Sequence, residues 1–136
     1  MRFLHLSDLH LGKRVCEFSM LDDQRYILEE ILSLLDTRPV DAVLLAGDLY
    51  DKPVPPAEAV RLLDWFLTEL ADRKLPVFAI SGNHDSAERI AFGAHLLAGS
   101  QVYVSPVFEG APAPIPLTDA YGPVDIYLLP FLKPAM

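Results

Sequence analysis

Four consecutive residues, Gly82-Asn83-His84-Asp85, place an amide, an imidazole and a carboxylate directly after a glycine. They follow the apolar run Val77-Phe78-Ala79-Ile80 and precede a stretch with helical spacing. Glycine permits a sharp turn there, so the next three side chains can project into one crevice at the carboxyl end of a sheet. Gly, Asn and Asp also favour ordinary turns, and the tetrapeptide alone does not separate a reactive edge from a plain connection. Two other strand ends shift the balance. Phe3-Leu4-His5-Leu6 runs into Asp8-Leu9-His10, and Ala42-Val43-Leu44-Leu45-Ala46 runs into Gly47-Asp48. Parallel strands present their carboxyl ends on one side, so the three sets converge. Together they offer the carboxylates of Asp8 and Asp48, the imidazoles of His10 and His84, and the amide oxygen of Asn83. Such oxygens suit hard divalent cations, and imidazole moves the preference toward Mn²⁺, Fe²⁺ or Zn²⁺.

The elements that must position these groups follow from periodicity. Residues 2–7 read as a strand and 20–36 as a helix, with Leu21, Ile27, Leu28, Ile31, Leu34 and Leu35 recurring at helical spacing. Residues 42–46 are too continuously apolar for a half-exposed strand and suit one covered on both faces. A second helix is expected from Pro56 to about Arg73, a third strand over 76–80 and a third helix over 86–97. This alternation implies right-handed crossovers and an α/β fold with a parallel sheet flanked by helices. After Gly99 the texture changes. Residues 102–104 and 107–108 are short strand candidates, 111–116 a proline-rich connection or edge strand, and 124–129 another buried strand.

Composition sets bounds. The 136 residues suffice for one domain at most, and 51% are apolar, enough for a core. No apolar run approaches the roughly 18 residues of a membrane span, and with Met1 leading straight into a strand pattern no signal peptide is expected. The single cysteine, Cys16, rules out an internal disulfide and suits a reducing cytoplasm. A net charge of −8 argues against a free-standing nucleic-acid surface, though bound cations would offset it where a phosphate must sit.

The three motifs resemble the signature of the calcineurin-like metallophosphoesterase superfamily: Asp-x-His, Gly-Asp, then Gly-Asn-His-Asp. Within it, Phe3 to Gly12, Gly47 to Asp51, Pro55-Pro56, Ser81 to Ser86 and Tyr127 to Pro134 are similar to the SbcD family of bacterial exonuclease subunits. The likeness covers residues 1–136 and implies the amino-terminal, truncated part of a nuclease domain with a metallophosphoesterase β-sandwich. It implies hydrolysis of DNA phosphodiester bonds in a repair and recombination complex. Two divalent ions would serve, Mn²⁺ first, with Mg²⁺ or Fe²⁺ as alternatives. Asp8 and His10 would ligate one ion, Asp48 would bridge both, and Asn83 would ligate the second. His84 would serve the leaving oxygen, with Asp85 in support. The implied partners are DNA, an SbcC-like coiled-coil ATPase and a second copy of the chain. The family pattern also needs an isolated histidine and a Gly-His-x-His pair later on, which nothing after His84 supplies. A weak or inactive isolated chain is therefore expected. A small-molecule phosphodiesterase or phosphatase, and a catalytically incomplete dimerisation or ATPase-docking module, are the other readings.

Other residues divide between chemistry and packing. His5, between Leu4 and Leu6, is expected to pack in the core, and His95 to lie on the surface or pack. Asp51 either supports the site or closes the turn before Pro53. Lys13 and Arg14 could touch a phosphate backbone, though loop lysines and arginines are usually only solvated. Trp65 falls on the polar face of its helix, where it either anchors a two-fold contact or lies flat over its neighbours.

Overall fold

A computed structural model describes residues 1–134. Ala135 and Met136, the last residues of the expected domain, lie outside the described residues. In chain order the elements are β1 (Phe3–Leu6), β2 (Arg14–Val15), β3 (Phe18–Ser19), α1 (Leu21–Thr37), β4 (Ala42–Ala46), α2 (Ala57–Asp72), β5 (Val77–Ile80), α3 (Ala87–Ile90), α4 (Ala94–Ala98), β6 (Val102–Val104), β7 (Ile115–Asp119) and β8 (Gly122–Ile126). The main sheet is parallel, in the order β1-β4-β5-β6, with Phe3 opposite Ala42, Val43 opposite Val77 and Val77 opposite Val102. No helix among the described residues is long and apolar enough to cross a membrane.

Alternation along the strands decides what each face meets. Val43, Leu45, Val77 and Ala79 turn to one side, against Leu28, Leu32 and Leu35 of α1 and Leu62, Leu63, Phe66 and Leu70 of α2. Ala42 and Phe78 turn to the other, where Leu128 and the antiparallel β7–β8 hairpin, through Ile115, Leu117 and Ile126, cover the sheet. The expected α/β sandwich is therefore present, but both long helices share one face. Every step along the sheet runs the same way, so same-handed crossovers return on the same side. Arg73 joins the carboxyl ends of α1 and α2, donating at 2.8 Å to Asp36 and at 2.8 Å to Glu69.

Several expectations change. His5 is exposed rather than packed: β1 is an edge strand, and the hairpin packs around the neighbouring strands' Leu44, Ile80 and Tyr103. His95 is exposed on α4, in line with the expected surface position. The helix over 86–97 is two short pieces, parted where Gly93 takes a left-handed φ of 72°. Residues 107–108 form no strand, and 124–129 is a surface hairpin arm from which Leu128 alone is buried. The loop after the first motif carries the β2–β3 ribbon, turned by Cys16 and Glu17 at φ 49° and 68°. Two consecutive left-handed residues are what a two-residue hairpin turn requires.

Trp65 is half-buried and packs against the core, with the Arg25 guanidinium 4.2 Å from its ring centroid. The ring is held within the chain by a cation–π contact worth about 0.5–1 kcal/mol. This matches the expectation that Trp65 lies over its neighbours, and the expected two-fold contact stays a proposal.

Candidate metal centre

The first two strand ends continue as a backbone ladder past the sheet. The Asp8 N–H donates to Gly47 O at 3.1 Å, the His10 N–H to Asp48 O at 2.9 Å, and the Leu11 N–H to Leu49 O at 3.0 Å. Leu11 and Leu49, 1% and 2% exposed, anchor this ladder in the core, so the residues between them face the crevice. Asp8, His10 and Asp48 all hold left-handed backbone, at φ 56°, 44° and 49°. Non-glycine residues are uncommon there, and three at one sheet edge mark strain of the kind that collects at functional sites.

Gly82 brings the third loop against the second. A Cβ on Gly82 would stand 2.1 Å from Asp48 Oδ1, so only glycine allows this approach. The His84 N–H then donates to Asp48 Oδ1 at 2.9 Å. The other oxygen of this buried carboxylate, Oδ2, lies 3.7 Å from His10 Nε2, and Asp8 Oδ1 lies 3.9 Å from the same nitrogen. Ligand atoms of Asp8, His10 and Asp48 all lie within 4.8 Å of one another. The His10 separations are too long for hydrogen bonds and of the size expected across an ion held about 2.0–2.2 Å from each ligand. Two carboxylates facing one imidazole also leave negative charge for a cation to neutralise, so the donor set fits a divalent metal. Asn83 lines the same crevice, about 290 Å³, together with Asp8, Asp48, Gly82 and Phe131. The His84 and His10 rings meet edge to face, 4.9 Å between centroids.

The sequence profile of the calcineurin-like phosphoesterases matches residues 1–129. The chain belongs to the calcineurin-like phosphoesterase family. Phosphoesterases of this family use divalent metal ions. The chain is 36% identical to the SbcD subunit of the nuclease SbcCD of Staphylococcus epidermidis over 132 residues, 96% of this chain and 34% of that protein. It is 33% identical to the same-named protein of Staphylococcus saprophyticus subsp. saprophyticus, with the same coverage. It thus spans about a third of the length of these relatives.

Around this phosphoesterase crevice, three supporting groups stand out. Asp51, balanced in the sequence between support and turn closure, lies beside both histidines. Its N–H donates to Leu11 O, its Oδ1 lies 3.3 Å from His10 Nδ1, and its carbonyl lies 3.0 Å from His84 Nδ1. A carbonyl only accepts, so this contact puts the proton of a neutral His84 on Nδ1 and leaves Nε2 open. Among the described residues, the buried His10 Nδ1 has no aligned hydrogen-bond partner despite that short approach, so Asp51 faces it off the line of the N–H.

Gln24, on α1, was not singled out in the sequence. Its Nε2 donates to His10 O at 2.9 Å and to Leu9 O at 3.2 Å, while its Oε1 accepts from the Gly12 N–H at 3.1 Å. Its place in the first turn of the helix after the motif loop was the available signal. Lys13 and Arg14 are exposed, and Arg14 turns to the Glu17 carbonyl.

Asp85 supports the site through the backbone. Its Oδ2 accepts from the Leu49 and Gly82 N–H groups at 3.0 and 2.9 Å, and its Oδ1 from the Tyr50 N–H at 2.9 Å. One carboxylate thereby ties the second motif to the third. Beside it, burial first and the Asp85 and Asp64 charges next push the Tyr50 phenol up to about 12, keeping it neutral. Asp85→Ala leaves three donors without their acceptor. An unsatisfied buried donor costs about 1–3 kcal/mol, and water entering the crevice recovers part. The expected loss is about 2–4 kcal/mol in urea unfolding, and a loss under about 1 kcal/mol would remove Asp85 as the clamp.

Proposed function

We propose that this crevice hydrolyses phosphodiester bonds in DNA, as the amino-terminal part of an SbcD-like nuclease subunit of a repair and recombination complex. The observation that carries the reading is the convergence of Asp8, His10 and Asp48 within 4.8 Å, with Asn83 lining the same crevice. Asp8 and His10 would hold one divalent ion, Asp48 would bridge to a second, and Asn83 would complete it. Mn²⁺ suits this mixed oxygen and imidazole set, with Mg²⁺ or Fe²⁺ as alternatives. Such ions supply Lewis-acid polarisation of the phosphoryl group and charge neutralisation in an in-line displacement. The chain's own contribution is positional. Asp48 takes the His84 N–H, fixing the third loop against the second. His84, held through Nδ1 by the Asp51 carbonyl, presents Nε2, which in the imidazolium form carries the second proton and gives it to the departing oxygen, leaving the neutral ring protonated on Nδ1.

The acidic balance, 19 Asp and Glu against 11 Lys and Arg, favours a DNA path supplied partly by other surfaces. An SbcC-like coiled-coil ATPase and a second copy of the chain are the proposed partners, and the cytoplasm the proposed compartment. The names of the relatives, both subunits of the nuclease SbcCD, support this assignment.

The test is a manganese titration of the full-length protein on linear DNA and on bis(4-nitrophenyl) phosphate. Manganese-dependent cleavage of DNA, in preference to the ester, is expected. Ester hydrolysis with intact DNA would make the protein a small-molecule phosphodiesterase. Inertness toward both would leave an interaction module.

A further inference from the structure

Next to the metal crevice runs a groove of about 460 Å³, lined among others by Pro53, Asn83, Glu88, Phe108, Phe131 and Lys133. Asn83 and Phe131 line both spaces, so the groove adjoins the crevice proposed to hold the phosphodiester. Phe131 is 48% exposed, yet its backbone is fixed: its N–H donates to Ser81 O at 2.9 Å. Ser81 is buried and donates its own N–H to the Ser105 hydroxyl at 3.2 Å, while the Ser105 N–H donates to Ala79 O at 2.8 Å. The ring is thus mounted on the end of β5, the strand that delivers Asn83 and His84. Phe108, half-buried, forms part of the same lining. Lys133 brings a cation to the groove, and Glu88 an anion whose Oε2 accepts from the Ser86 hydroxyl at 3.1 Å.

We propose that this groove binds an unpaired nucleobase flanking the phosphodiester held in the crevice, with Phe131 as the stacking face. The inference rests on the phosphodiesterase reading and adds what lies beside the phosphate. A phosphodiester of a polynucleotide carries a sugar and base within reach of its phosphorus. Aromatic side chains beside a backbone-binding groove are how single strands are held without sequence preference. Lys133 would attract the neighbouring phosphate. Stacking reads the face of a base and not its edge, so the recognition is sequence-tolerant.

The test uses the full-length protein and two labelled single strands of equal length, oligothymidylate and its fully abasic counterpart. Binding is measured by fluorescence anisotropy in metal-free buffer. Wild type should prefer the base-bearing strand by roughly 5- to 150-fold, the equivalent of one to three kcal/mol of base stacking. Phe131→Leu, which keeps apolar bulk, and Phe131→Ala should abolish that preference, while Phe131→Tyr keeps it. An unchanged preference in Phe131→Leu, or none in wild type, overturns the proposal. Loss of thermal stability in Phe131→Ala with unchanged binding also overturns it, assigning the groove to packing by the chain itself. Manganese-dependent cleavage of the abasic strand is scored separately. If it persists while the base preference is absent, the groove alone is wrong; if wild type cleaves neither strand, the phosphodiesterase reading falls too.

Discussion

Asp48→Asn in the full-length protein should lose divalent metal and DNA cleavage together while remaining folded. Asp48 is buried, its Oδ1 accepts the His84 N–H, and its Oδ2 faces His10 Nε2 at 3.7 Å. The amide keeps a carbonyl oxygen for the His84 N–H, so the contact between the loops survives. What disappears is the anion proposed to lie between two cations. Residues that merely orient a metal ligand cost roughly 10–100-fold in affinity or activity when changed, so a bridging ligand should cost more than about 100-fold. Cleavage of a labelled strand under single-turnover conditions measures the loss. Cleavage within a few-fold of wild type would exclude Asp48 as a ligand.

His84→Ala should behave oppositely toward the metal. The ring meets His10 edge to face and is tied through Nδ1 to the Asp51 carbonyl, so Nε2 is the nitrogen left for chemistry. The His84 contact to Asp48 comes from the backbone N–H, which alanine retains. Metal uptake should therefore be unchanged. Turnover should fall by roughly 10²–10⁴, the usual contribution of a positioned proton donor. Unchanged single-turnover cleavage would remove His84 from the proton-transfer step.

The crevice was legible because three short motifs each ended an apolar run, and a parallel sheet forces such ends together. Helical spacing likewise reported the two long helices, although in α1 the buried stripe is Leu28, Leu32 and Leu35, while Ile27 and Leu34 of the expected set are exposed. What spacing could not report was one-sided covering. Residues 124–129 are apolar enough for a buried strand, yet they end a hairpin laid on the sheet, with Val124 and Leu129 at 42% and 50% exposure. His5 alternates with two packed leucines, but alternation does not say which face lacks a cover. The left-handed backbone at Asp8, His10 and Asp48 was also hidden, since Asp and His adopt ordinary backbone equally well. Asp51 and Asp85 both lie in bends between elements, where sequence alone does not separate turn chemistry from support. Their contacts to His10, Leu49, Tyr50 and Gly82 appear only once the loops meet.

A calorimetric titration of Mn²⁺ into full-length wild type, Asp48→Asn and His84→Ala probes the metal centre itself, independently of any substrate. Wild type and His84→Ala should take up Mn²⁺ with the same affinity, and Asp48→Asn should bind at least about 100-fold more weakly. Uptake by Asp48→Asn that matches wild type would contradict a metal centre at these strand ends.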